Sequence, residues 1–136
     1  MPLDDTGFGR RMEALEKIDQ VIDLLASEDR WCKHQLVTDD GRRCIMGGLQ
    51  AVHGTTVLVP PIRLAIRQVT GRNFRRIESF NDDDTTTHTL VVTVLHQARN
   101  NILNSTPDNA RKLAAETTIT RWKRQVHYVW GWLATS

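Results

Sequence analysis

No stretch of this sequence reaches the roughly 18 consecutive apolar residues that a membrane-spanning helix needs, so no membrane span is expected. The N-terminus, MPLDDTGFGRRMEAL, lacks the basic start and apolar run of a signal peptide and carries acids there instead, which points to a cytoplasmic protein. Cysteine is scarce. Cys32 and Cys44 allow one disulfide at most, and the C-x-x-C pair of a zinc module is missing, so reduced thiols and no bound metal are expected. Internal repeats and low-complexity runs are lacking too, and charge of neither sign dominates: 18 Lys and Arg stand against 16 Asp and Glu. What remains is ordinary. With 40% hydrophobic and 25% charged residues over 136 positions, the chain matches soluble globular proteins and is long enough for one domain (1–136) with a real core.

Hydrophobic spacing predicts a mainly α fold, a single compact helical domain of about five helices with at most a small β hairpin. Met12, Leu15, Ile18, Ile22 and Leu25 recur at spacings of three and four, which predicts an amphipathic helix ending near Ser27. An Asp-Gly turn at Asp40 and Gly41 follows, and then CIMGGLQAVHG, where Gly47 and Gly48 read as close-approach residues. Pro60 and Pro61 suit a helix start, with Ile62, Leu64, Ala65, Ile66 and Val69 covering a face and Gly71 as C-cap. FRRIESF reads as a short extended piece. NDDDTTT then supplies capping side chains for a helix carrying Leu90, Val91, Val94, Leu95, Ala98 and Ile102. The core is expected over 10–103, with a Trp-rich basic helix over 108–134.

Trp31, DDGRRCIMGGL and FND ahead of a Thr-led apolar helix resemble an uncharacterised family of small bacterial and phage proteins with the pattern W…DxxGxxCxxGAL…ND…VxxLLxxA. The matching positions are Trp31, Gly41, Cys44, Gly47, Gly48, Leu49, Asn81 and Asp82, within about 10–103, and Gly48 stands where alanine is usual. The resemblance implies an architecture and a pairing of the two motifs, and no activity or cofactor.

Three sets of residues suggest function. Cys44 at a helix start beside Arg42 and Arg43 has the setting that favours a thiolate, and His88 or His53 as base with Asn81 or Asp82 orienting it would complete a catalytic group. Tight helix packing explains the same cysteine more simply. Cys32, His34, Cys44 and His53 are ligand types without a standard ligand spacing, and Asp82, Asp83 and Asp84 lack the glycine and distal glutamate of a calcium loop. Arg63, Arg67, Arg72, Arg75 and Arg76 form an acid-free stretch suited to anionic partners, although no helix-turn-helix, zinc-finger or RNA-binding signature accompanies it. Trp122, Trp130 and Trp132 with Arg121, Lys123 and Arg124 make the tail a candidate contact surface. The leading expectation is a binding protein acting on a protein partner, with a homodimer as one form and modulation or inhibition of a host system as the role if the origin is a phage or mobile element. A Cys44 enzyme and nucleic-acid binding through the arginines are the alternatives.

Overall fold

The computed structural model describes residues 8–105. Within them run α1 (Phe8–Leu24), α2 (Ile45–Ala51), α3 (Thr55–Thr70), α4 (Ile77–Asp82) and α5 (His88–Leu103), with a 3-10 turn at Glu28–Arg30. The fold is mainly α, a compact helical domain, and the described residues contain no strand. In place of a hairpin, Arg43 alone makes isolated bridges, parallel to Trp31 and antiparallel to Val37. The Trp-rich segment predicted over 108–134 lies outside the described residues.

The core follows from helical periodicity. On α1, Ala14, Ile18 and Val21 are buried, together with Leu25 just beyond its end. Met12, expected on that face, is 50% exposed, because at 100° per residue it lies more than about 100° round the helix from each of Ala14, Ile18 and Val21. On α5, Val91, Val94, Leu95, Ala98 and Ile102 are buried at the predicted spacing. Its N-cap is Thr87, whose hydroxyl accepts from the Leu90 amide. The most extensive pairing joins α3 to α5, and α1 lies against α5 as the next. A polar ladder runs along the first of these: Gln97 Nε2 donates to Gln68 Oε1 (3.2 Å) and Asn101 Oδ1 (3.1 Å), and Asn101 Nδ2 donates to the Pro61 carbonyl (3.2 Å).

Two elements depart from the sequence prediction. Helix α3 begins at Thr55 and not at the prolines, so Pro60 and Pro61 stand inside it. Proline has no N–H, so the carbonyls of Thr56 and Val57 lose their helical donors. Leu58 and Ile62, both fully buried one turn apart, hold the preceding turn helical, and proline's fixed φ suits a helix once its first turn is anchored. FRRIESF is not extended either. Ile77 and Phe80 are buried three residues apart, which only the helix α4 achieves, and Phe74 meets Phe80 edge to face at 5.6 Å. Gly71 does take the left-handed C-cap conformation, φ 72°, with its amide on the Arg67 carbonyl.

Candidate functional site

The motif residues converge on one carboxamide. Asn81, at the end of α4, is fully buried. Its Oδ1 accepts from Trp31 Nε1 (2.8 Å) and from the Ile45 amide (3.1 Å), the first N–H of α2. Its Nδ2 donates to the Cys32 carbonyl (3.1 Å) and to Asp82 Oδ1 (2.9 Å). An amide group offers two donors and two lone pairs, so Asn81 is saturated by the scaffold. Asp82 Oδ1 also accepts from the His34 amide (2.8 Å), and His34 holds a left-handed backbone, φ 71°. Lys33 Nζ donates to the Asp83 carbonyl (2.7 Å) and lies 5.7 Å from the Trp31 ring. Together these contacts clasp the 31–44 loop to α4.

Cys44 is the N-cap of α2, its Sγ accepting from the Gly47 amide at 3.3 Å, and it is 4% exposed. The thiolate-favouring setting expected from the sequence is not what forms. Arg42 pairs with Asp40 at 3.3 Å and Arg43 reaches the Gly47 carbonyl at 3.4 Å. Burial dominates and pushes the Cys44 thiol up, against the lowering effect of the Gly47 amide. Burial raises the Cys32 thiol as well. His88 Nε2 donates to the Leu25 carbonyl at 2.7 Å and its ring tilts against Trp31 at 6.0 Å, so it caps the chain leaving α1. His53 is exposed with φ 55°. Among the described residues no three His, Cys, Asp or Glu side chains stand close enough to hold a metal ion.

Gly47 and Gly48 are close-approach residues toward two different neighbours. A Cβ on Gly47 would run into the Leu36 carbonyl, with the carbonyl carbon at 2.9 Å. One on Gly48 would meet Val21 Cγ1 of α1 at 3.3 Å and Leu25 Cδ1 at 3.7 Å. Gly41 turns the chain with φ 93°, its amide on the Thr38 carbonyl at 3.0 Å, as the Asp-Gly signal predicted.

The arginines form a second site. Beside α3 lies an open groove of about 320 Å³, lined by Arg63, Arg67, Arg72 and Arg76 with Asn73, over Val59, Pro60, Leu64, Ile66 and Phe74. No acidic residue lines it. Arg72 is committed to the fold: its two guanidinium nitrogens reach the Asp83 carboxylate at 3.3 and 3.4 Å, and the guanidinium stacks 4.4 Å from the Phe74 ring. Asp83 is held down to about 2 by hydrogen bonds from the Thr85 hydroxyl and amide and from Arg72. Arg63, Arg67 and Arg76 have no ion-pair partner among the described residues. Arg75 is exposed but outside the lining.

Sequence reasoning named the arginines but missed Pro60, Leu64, Asn73 and Phe74 as their companions. Leu64 between Arg63 and Arg67 was the available signal, since a leucine assigned to the core face yet flanked by paired cations belongs at a boundary. Trp122, Trp130 and Trp132 lie outside the described residues. No described helix is long and apolar enough to cross a membrane. Neither a curated protein nor a solved structure matches this chain. A family model does match, over residues 10–101, the span that holds both the Asn81 junction and the arginine groove, and the chain belongs to that family, a family of unknown function (DUF6197).

Proposed function

We propose that this chain is a binding protein, and that the groove beside α3 is its contact surface for another protein. The observation that carries this reading is the groove lining: three arginines without described ion-pair partners, no acid, and an apolar floor. Arginine together with apolar and aromatic surface is the composition typical of protein contacts. The Cys44 cluster favours the same reading from the other side. Its thiol is buried and raised, its histidine caps a helix end, and its asparagine has no hydrogen-bonding capacity left. A small cytoplasmic modulator, acting by occupying part of another protein's surface, suits a chain of this size, and a phage or mobile-element origin would suit that role.

Site-specific photo-crosslinking in cells tests it. A photoreactive residue at Asn73, in the groove, should give an adduct that protease destroys and nuclease spares, and that weakens when Arg67 becomes Gln. The same residue at Asn100, an exposed position on α5, should not. A nuclease-sensitive adduct, or protein adducts at Asn100 and none at Asn73, would refute the reading.

A further inference from the structure

Resting on that reading, we infer that the groove takes a short extended segment of the partner that carries two carboxylates two residues apart, on one face. Its length sets the first constraint. The α3 part of the lining runs from Val59 to Arg67, about 12 Å at 1.5 Å per residue, which accommodates three or four residues of extended chain. Spacing sets the second. Arg63 and Arg67 lie one turn apart on the same helix face, with Cβ atoms roughly 5–6 Å apart. Side chains two residues apart in an extended strand share a face at about 6.6 Å, so an acid-x-acid segment brings one carboxylate to each guanidinium fork. Arg76 adds a further cation to the lining.

The apolar lining supports the carbon stems of the acids. Pro60 and Leu64 form a surface that cations alone do not need, and the methylenes of the two acidic side chains lie against it. The lining also disfavours a nucleic acid. Single strands are held by bases stacking on aromatic faces and by cations that track a backbone. Phe74, the one aromatic residue in the lining, has a face under the Arg72 guanidinium and meets Phe80 edge to face. The arginines converge on one groove of about 320 Å³ and do not follow a track.

The test is an NMR titration of the full 136-residue chain at 0.15 M salt, which reads weak binding residue by residue. The probes are a short synthetic peptide with a Glu-Leu-Glu core between glycines and serines, its Gln-Leu-Gln version, oligothymidylate and inorganic phosphate. The Glu-Leu-Glu peptide should give saturable shifts confined to the amides of 59–76. Its affinity should fall at least about tenfold in the Gln-Leu-Gln peptide and in the doubly substituted Arg63→Gln, Arg67→Gln chain. Arg75→Gln removes one such charge outside the groove and should change affinity less than about twofold at this screening. Unchanged shifts elsewhere in the spectrum establish that the variants remain folded. Equal binding of the Glu and Gln peptides, equal loss in Arg75→Gln, tighter groove binding of oligothymidylate, or displacement of the peptide by millimolar phosphate would each overturn the inference. If the Asn73 adduct forms while the acidic peptide fails, the partner is a protein of other chemistry and only this inference falls. If both fail, the groove is not the contact surface.

Discussion

Adding one methyl group at Gly47 and at Gly48 should give unequal outcomes, although the two glycines are neighbours in the same short helix. Alanine gains about 1 kcal/mol of helix propensity over glycine in a helix interior, and this gain is common to both sites. At Gly48 the new Cβ meets Val21 Cγ1 at 3.3 Å, the tip of a side chain, which yields by a few tenths of an ångström. Gly48→Ala is therefore expected within about 1 kcal/mol of the parent, on either side of zero. At Gly47 the obstacle is the Leu36 backbone, with its carbonyl carbon at 2.9 Å. That same carbonyl accepts the Cys44 amide at 3.2 Å. Moving it leaves a buried N–H without its partner, at about 1–3 kcal/mol, and adds strain of about 1–3 kcal/mol. After the propensity gain, Gly47→Ala should cost about 1–5 kcal/mol, centred near 3. In urea unfolding followed by circular dichroism and tryptophan fluorescence, an m-value of about 1.5 kcal/mol/M turns 3 kcal/mol into a midpoint about 2 M lower. Equal midpoints for the two variants would refute the assignment of Gly47 to a backbone contact and Gly48 to a side-chain contact.

Other outcomes follow from the same geometry. Asn81→Leu keeps the branched heavy-atom skeleton but strands Trp31 Nε1–H, the Ile45 amide and the Cys32 carbonyl, so it should destabilise by about 3–5 kcal/mol in urea unfolding; a loss under about 1 kcal/mol would mean that those groups find other partners. Because burial raises the Cys44 thiol, its thiolate fraction at neutral pH lies below that of a free cysteine. In a Cys32→Ser chain, iodoacetamide should modify Cys44 more slowly in the folded protein than in urea, and faster modification of the folded form would revive the nucleophile. Asp83 is held at about 2, below the roughly 3.9 of an unfolded aspartate, so its contribution to stability is complete above about pH 4 and is lost as pH falls through 2. The urea midpoint of Asp83→Asn should accordingly vary less between pH 4 and 2 than the parent's, and parallel profiles would sink that account.

The helices α1 and α5 were legible because each buries its own stripe: Ile18 with Leu25, and Val91 through Ile102, announce a face by spacing alone. The close approach at Gly47 and Gly48 was legible as well, since only a crowded contact calls for two glycines in a helix of seven residues. What the sequence did not disclose depends on partners distant in the chain. Pro60 and Pro61 sit inside α3 because Leu58 and Ile62 anchor the turn around them, and anchoring is tertiary. Residues 77–82 are helical because Phe80 reaches the core three positions after Ile77, a run too short to show a period. Cys44 looked activated because Arg42 and Arg43 adjoin it, yet adjacency along the chain does not aim a guanidinium, and Asp40 and the Gly47 carbonyl engage them. The arginines were visible, whereas their groove required the 71–76 turn to fold back beside α3.

The Asn81 carboxamide also sets an order of events during folding. Its bonds to Trp31, Cys32 and Ile45 span 50, 49 and 36 residues, so the loop between Trp31 and Cys44 gains its anchor only when α4 has been delivered from far along the chain. Closing a loop of that length costs entropy that local helix formation does not, so helical turns form ahead of the anchoring of the 31–44 segment, which waits for α4 to dock. Ordering of that segment is thus tied to completion of the whole domain, and the motif surrounding Cys44 acts as the latch by which the chain registers that it has reached its native state.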